Sequence, residues 1–284
     1  MTLTAPAKVN LALDVLGRRK DGYHDLRSVM QSVSLCDTLR VEDGGARFTL
    51  LSNCADIPRD GSMEQRAAEA FFEAIEKPVP PVTVTLTKTI PAYAGLGGGS
   101  ADVAAVLRYL RTRFAPEMPT ETLEAIGAKI GSDVPFCIRG GAALAEGRGE
   151  KLTPLPPLPP CHFVLCKPNF SLKTPEMYAC LDTVEIPARP DVDGLAAALR
   201  AGDLQAAARC FGNVFEAALP EGGEAVFAIK RRLFDFGALA AQMSGSGPTV
   251  FGVFEREADA LAAADDLRRD FSAVFLAHPV PETV

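Results

Sequence analysis

Between a strand-like and a helix-like segment, the chain places four glycines and a serine within six residues, Gly95 to Ser100. The full run is Ile90-Pro91-Ala92-Tyr93-Ala94-Gly95-Leu96-Gly97-Gly98-Gly99-Ser100-Ala101-Asp102. A loop that enters a helix in this way aims several backbone N–H groups at one anion, with the positive end of the helix dipole behind them. Glycine permits the approach because no Cβ stands between the backbone and a phosphate oxygen. The pattern predicts a nucleotide triphosphate site. It is not a Walker A loop, since no lysine precedes Ser100, and it is not a dinucleotide fingerprint, since Ser100 stands where the third glycine belongs. Nor does it read as a flexible linker, which would lie in polar, low-complexity surroundings.

Four other segments carry residues with chemical uses. Pro6-Ala7-Lys8-Val9-Asn10-Leu11 puts a lysine and an asparagine on one face of a strand. Gly17-Arg18-Arg19-Lys20-Asp21-Gly22-Tyr23-His24-Asp25-Leu26 presents an aromatic and an imidazole side by side at a turn, and such faces can stack a base. In Gly131-Ser132-Asp133-Val134-Pro135-Phe136 the proline favours a helix start. Asp133 there reads either as a helix cap or as a base for a substrate hydroxyl. Met243-Ser244-Gly245-Ser246-Gly247-Pro248-Thr249 is a second glycine-serine loop. It reads either as a tight turn or as a cover for a phosphate.

The elements that must position these residues follow from periodicity. Residues 7 to 16 alternate, with Val9, Leu11, Leu13 and Val15 on one face and Lys8, Asn10 and Asp14 on the other. Further strands are predicted around 26–35, 38–41, 48–51, 82–90, 140–145, 162–166, 250–254 and 273–277. Helices are predicted over 64–75, 121–130, 192–200, 204–211, 222–236 and 258–270. Another follows the glycine run, where Val103, Val106, Leu107 and Leu110 fall at helical spacing. The proline-rich stretch 154–160 reads as a stiff connector. Strands and helices mix without a regular β-α-β rhythm, which predicts two α+β domains, 1–153 and 161–284.

Composition narrows the function. A net charge of −7 argues against nucleic acid as a partner. No stretch approaches a membrane span, and the start lacks a leader pattern. The seven cysteines form no Cys-x-x-Cys pair, so a zinc site or a disulfide framework is not expected and a cytoplasmic location is. A small-molecule substrate is the expected partner. The sequence does not indicate the oligomeric state.

Taken together, the five segments resemble the GHMP kinase superfamily, from Ala5 to about Phe254. The resemblance implies an N-terminal half like ribosomal protein S5 domain 2, a ferredoxin-like C-terminal half and an active site between them. It implies ATP as phosphoryl donor with Mg²⁺, Lys8 and Asp133 as the catalytic pair, and ATP binding by Pro91, Ala92, Tyr93, Ala94, Gly95, Leu96, Gly97, Gly98, Gly99, Ser100 and Ala101. By the same resemblance Lys88 lies near the adenine and Asn10 beside the reacting groups. Galactokinases, homoserine kinases and mevalonate kinases are not expected to carry the Gly17–Leu26 run. That run is similar to a branch whose acceptor bears a cytidine nucleotide. It implies that Tyr23 and His24 line the cytidine pocket, that Tyr178 stacks the base from the other side, and that Thr174 lies with them. A kinase for another small alcohol, such as homoserine, and a non-catalytic nucleotide-binding protein are the alternatives. The metal ligands stay open, with Ser100 a candidate by position. Three departures from the family pattern stand out: Ala101 in place of a second serine, Gly61-Ser62-Met63-Glu64 before Arg66, and Asn213-Val214 in place of an Asn-Asp pair.

Overall fold

The computed structural model describes residues 1–55, 57, 58 and 60–282. In chain order its elements are β1 (Thr2–Arg18), β2 (His24–Asp43), β3 (Thr49–Ser52), α1 (Met63–Ala74), β4 (Val82–Thr87), α2 (Gly98–Phe114), α3 (Thr120–Ala128), α4 (Val134–Arg139), β5 (Ala142–Gly147) and β6 (Lys151–Leu155). There follow β7 (His162–Lys167), α5 (Thr174–Leu181), α6 (Val192–Ala201), α7 (Leu204–Arg209), β8 (Gly212–Asn213), α8 (Glu224–Asp235), β9 (Ala240–Met243), β10 (Val250–Phe254), α9 (Glu257–Leu267) and β11 (Ala273–Ala277).

One sheet runs β3-β4-β2-β1-β8, with β5 and β6 continuing from β2. The sequence suggests two strands over 26–41, but β2 is one unbroken strand. Its first part pairs with β5 and its last part with β4. The second sheet is antiparallel, β11-β7-β10-β9. Helices α1 to α4 cover the first sheet around Phe71, Phe136, Leu39 and Leu86. Helices α8 and α9 cover the second around Val226, Ile229, Leu233 and Leu267. A third cluster, with Val9, Leu11, Leu195, Phe163 and Phe251, lies where the two sheets meet.

The proline-rich connector passes from β6 to β7 and is tied down at Leu158, whose N–H donates to buried Gln31. Pro154 lies in β6, which pairs only with β5, so it sits where a missing N–H costs little. The second half also returns to the first sheet. Strand β8 runs parallel to β1 at Ala12 and Leu13, and Pro279 bridges back to Val33.

Strand β1 departs from plain alternation. Its pairing with β2 shifts register between Pro6 and Lys8 and again between Asn10 and Ala12. A bulge of this kind re-aims the side chains beyond it. Val9 and Leu11 therefore pack where the sheets meet, whereas Leu13 and Val15 belong to the core under α8 and α9. The single apolar face predicted for these four residues is split, because one extra residue inverts a period of two.

The loop before α2 is pinned against the Met243–Thr249 loop. Ser244 Oγ donates to Gly95 O at 2.9 Å, and Thr249 N–H donates to Ala94 O at 3.3 Å. At Gly95 φ is +76°, and an added Cβ would lie 2.1 Å from Ser244 O. Gly95→Ala should therefore force the loops apart and cost about 1–3 kcal/mol. At Gly99, by contrast, a Cβ would meet only Met63 Sδ at 3.8 Å, so Gly99→Ala should leave stability unchanged or raise it by about 0.5–1 kcal/mol. Thermal melting of the two variants checks this; equal midpoints would show that the contact at Gly95 gives way freely.

Candidate active site

A cleft of about 1180 Å³ opens between the glycine loop, β1 and β2 on one side and α5 with the Met243–Thr249 loop on the other. Its floor carries Lys8, which is only 4% exposed. An ammonium this deeply buried requires partners, and Lys8 has two. Its Nζ lies 3.2 Å from Asp133 Oδ2 and donates to Asn10 Oδ1 at 2.8 Å. Between flanking register shifts, Lys8 and Asn10 lie in continuous register on one face of β1, and both line the cleft. Asp133 occupies the N-cap position of α4, yet its carboxylate makes no capping bond. Of the two readings open from sequence, the cap is thus not what its side chain does. The carboxylate faces Lys8 and lines the cleft.

The glycine loop passes directly over the lysine. Gly97 has φ +67°, and a Cβ there would lie 2.9 Å from Lys8 Cγ. The backbone is also tied, since Lys8 N–H donates to Leu96 O at 2.9 Å. Gly97 caps α2 without any side-chain bond. The N–H groups of Gly98, Gly99 and Ser100 in the first turn therefore have no intrahelical acceptor and stand ready for an anion. Pro91 to Ser100 all line the cleft. Tyr93 does so with φ +50° and 66% exposure.

Two expected nucleotide contacts turn out otherwise. Ala101 does not reach the cleft: it is 1% exposed and packs in the core, because the helical period turns position 101 inward. Lys88 reaches the cleft wall, but its ammonium is held between two fully buried carboxylates, Asp37 and Asp102. Asp37 also accepts from the N–H groups of Thr89 and Ile90, at 2.5 and 2.8 Å. The pair thus anchors the chain just before the glycine loop and at the first turn of α2. Burial pushes the Asp102 carboxyl up to about 8, against the attraction of Lys88. Its Oδ1 has no hydrogen-bond partner among the described residues.

At the far end of the cleft stand the aromatic residues. His24 Nε2 is 2.8 Å from Asp182 Oδ1. The His24 ring stacks on Tyr178, with centroids 4.5 Å apart and planes at 19°, and Phe215 meets Tyr178 edge-on. Burial raises the Tyr178 phenol to about 12, with the nearby Asp133 charge adding to it. The sequence expectation places a base between Tyr178 and the Tyr23–His24 pair. Here His24 itself fills one face of Tyr178, and Tyr23 is the ring left half exposed, with the Arg148 guanidinium 4.8 Å over it. Thr174 Oγ1 and Ser246 Oγ, 2.9 Å apart, join α5 to the second glycine-serine loop.

Sequence reasoning missed Arg148, Asp182, Asp37 and Asp102. Arg148 had a signal, the Gly147-Arg148-Gly149 turn; Asp182 sits one helical turn past Tyr178; Asp37 interrupts an apolar strand. Among the described residues no helix is long and apolar enough to cross a membrane.

Comparison with known proteins yields a consistent set. The family model for the GHMP kinases N terminal domain matches residues 63–141, and that for the GHMP kinases C terminal matches residues 195–273. A 4-diphosphocytidyl-2-C-methyl-D-erythritol kinase of Clostridium botulinum (strain Kyoto / Type A2) is 38% identical over 99% of this chain and 100% of its own length. One from Geobacillus sp. (strain WCH70) is 40% identical over 97% and 95%. The crystal structure of a 4-(cytidine 5'-diphospho)-2C-methyl-D-erythritol kinase superposes with a TM-score of 0.81 at 33% identity, covering 98% of this chain and 99% of that one. Homoserine kinase from Cytophaga hutchinsonii, at 20% identity and a TM-score of 0.76 over 99% and 95%, shares the fold.

The carboxyl of Asp102 offers a test of the buried anchor. A group raised from 3.8 to about 8 keeps its proton in the folded chain where the unfolded chain has lost it. Its contribution to stability therefore declines as pH rises from about 4 to about 8. Asp102→Asn removes the titration, and melting midpoints measured between pH 5 and 8 should fall less steeply than in the unaltered chain. Parallel curves would show that Asp102 is ionised beside Asp37.

Proposed function

The chain belongs to the 4-diphosphocytidyl-2-C-methyl-D-erythritol kinases, ATP-dependent phosphotransferases on the GHMP kinase fold, and on that premise we propose how its own residues carry the reaction. The acceptor is the 2-hydroxyl of 4-diphosphocytidyl-2-C-methyl-D-erythritol, a step in non-mevalonate isoprenoid precursor synthesis. Asp133 takes or orients the proton of that hydroxyl. Lys8, 3.2 Å away, orients the Asp133 carboxylate and offers its remaining N–H to the transferring phosphoryl group. The single observation that carries this reading is the Lys8–Asp133 pair at the floor of the cleft, directly under the glycine loop.

The β- and γ-phosphates of ATP are received by the first turn of α2, through the free N–H groups of Gly98, Gly99 and Ser100. Phosphoryl transfer asks chiefly for positioning and charge neutralisation, and a lysine, a helix start and two opposed loops supply both. The Ser100 hydroxyl lines the cleft and would meet a Mg²⁺ carried by ATP, which would add to that neutralisation. Among the described residues no cluster of three or more His, Cys, Asp or Glu side chains could hold a metal by itself. The cytidine end of the acceptor lies along Tyr23, His24, Thr174 and Tyr178, with Arg148 beside Tyr23. Residues 1–153 and 161–284 serve as the two domains, the second lending β8 to the sheet of the first.

Coupled ADP release with ATP–Mg²⁺ tests the acceptor. The cytidyl alcohol should turn over, while homoserine, mevalonate and galactose should not; turnover of one of these instead would overturn the substrate and leave the Lys8–Asp133 chemistry standing. Asp133→Asn should lower kcat by ~10²–10⁴ with ATP binding nearly intact. An unchanged rate removes Asp133 from the mechanism.

A further inference from the structure

The polar chain that begins at Asp133 does not end at Asn10. Lys8 Nζ donates to Asn10 Oδ1 at 2.8 Å. Asn10 Nδ2 donates to Ser28 Oγ at 2.8 Å. Ser28 Oγ donates to the Ala12 carbonyl at 2.7 Å. Ser28 lies on β2, beside β1, and is fully buried, as Asn10 very nearly is.

The direction of this chain is fixed at its far end. The Ala12 carbonyl can only accept, so the Ser28 hydroxyl spends its one proton there and turns a lone pair toward Asn10. A lone pair can only be met by the amide NH₂. The amide oxygen must then point the other way, at Lys8. A primary amide has two orientations of nearly equal shape, and what sets one over the other is its hydrogen bonds. The wrong orientation would press an NH₂ against an ammonium, donor to donor, and push Nζ off its place beside Asp133.

We infer that Ser28 is a positioning residue for the phosphoryl transfer: by fixing the polarity of the Asn10 amide it holds the Lys8 ammonium against Asp133. It touches neither substrate nor the reacting atoms and acts only through Asn10. The inference deepens the kinase reading above and rests on it for the meaning of the Lys8–Asp133 pair.

A double-mutant cycle tests it. Ser28→Ala should lower kcat by roughly 10- to 100-fold and leave the KM for ATP and for the acceptor within about twofold of the unaltered chain. Asn10→Ala should lower kcat as well. In the Asn10→Ala background, Ser28→Ala should cost nothing further, because there is no amide left to orient. If the two losses multiply, or if folded Ser28→Ala keeps its full kcat, the inference is wrong. Melting midpoints show whether each variant is folded. Where Ser28→Ala leaves too little folded protein, Ser28→Cys takes its place in the cycle, since a thiol fills the space but is a weak acceptor and donor. The cycle is also read on basal ATP hydrolysis. A chain that rejects the cytidyl alcohol but still shows non-additive loss there would sink the substrate reading and spare the role of Ser28.

Discussion

A lysine ammonium lies almost out of reach of water in this molecule, and much of the surrounding architecture follows from giving it partners. Lys8 is on a strand that would ordinarily send every second residue into an apolar core. Register shifts in its pairing with β2 lie on either side of it, and its side chain lines the cleft. Its stem runs so close beneath the glycine loop that position 97 has no room for a Cβ. Its charge is met by Asp133 from the turn before α4 and by Asn10 from its own strand. Breaking such a pair strands a charge in a poorly solvating place, which is why its parts are interdependent.

A second buried cation does structural work nearby. Lys88 draws Asp37 of β2 and Asp102 of α2 together, and Asp37 also binds the N–H groups of Thr89 and Ile90. The glycine loop is thus fastened where it leaves β4 and where it becomes α2. Between those points it is held by Lys8 from below and by Ser244 and Thr249 from the facing loop. A loop fixed at so many points presents its N–H groups without further ordering when an anion arrives, and interactions already in place cost no reorganisation at the moment of reaction.

Much of this was legible in the letters because local rules governed it. The glycine run, the strand before it and the helix after it follow from period and residue type. The resemblance to GHMP kinases named Lys8 together with a carboxylate 125 positions away, and the two side chains stand 3.2 Å apart. What was not legible depends on tertiary neighbours. No pattern announces that one extra residue in β1 sends Leu13 and Leu11 to different cores. The stretch Ala240–Met243 has little strand character, and it is a strand because β10 pairs with it. Helix α5, at 8 residues, is too short to show a period. The lysine assigned to the adenine was found between two aspartates whose spacing from it, 51 and 14 residues, corresponds to no motif. The stacking of His24 on Tyr178 likewise joins two residues that each looked free to meet a base.

Strand β1 is synthesised well before some of its supports. Asn10 N–H donates to Ser244, 234 residues onward. Gln242 donates to the carbonyls of Asn10 and Leu11, and β8 pairs with β1 at Ala12 and Leu13. A nascent chain that has completed β1 to β6 therefore still lacks the residues that close β1 off from water, and loops of this length form slowly. The site is in this sense a checksum on the polypeptide: a chain released before about residue 240 carries Lys8, the glycine loop, Asp133 and α5, and still lacks the Met243–Thr249 loop that completes the second wall of the cleft.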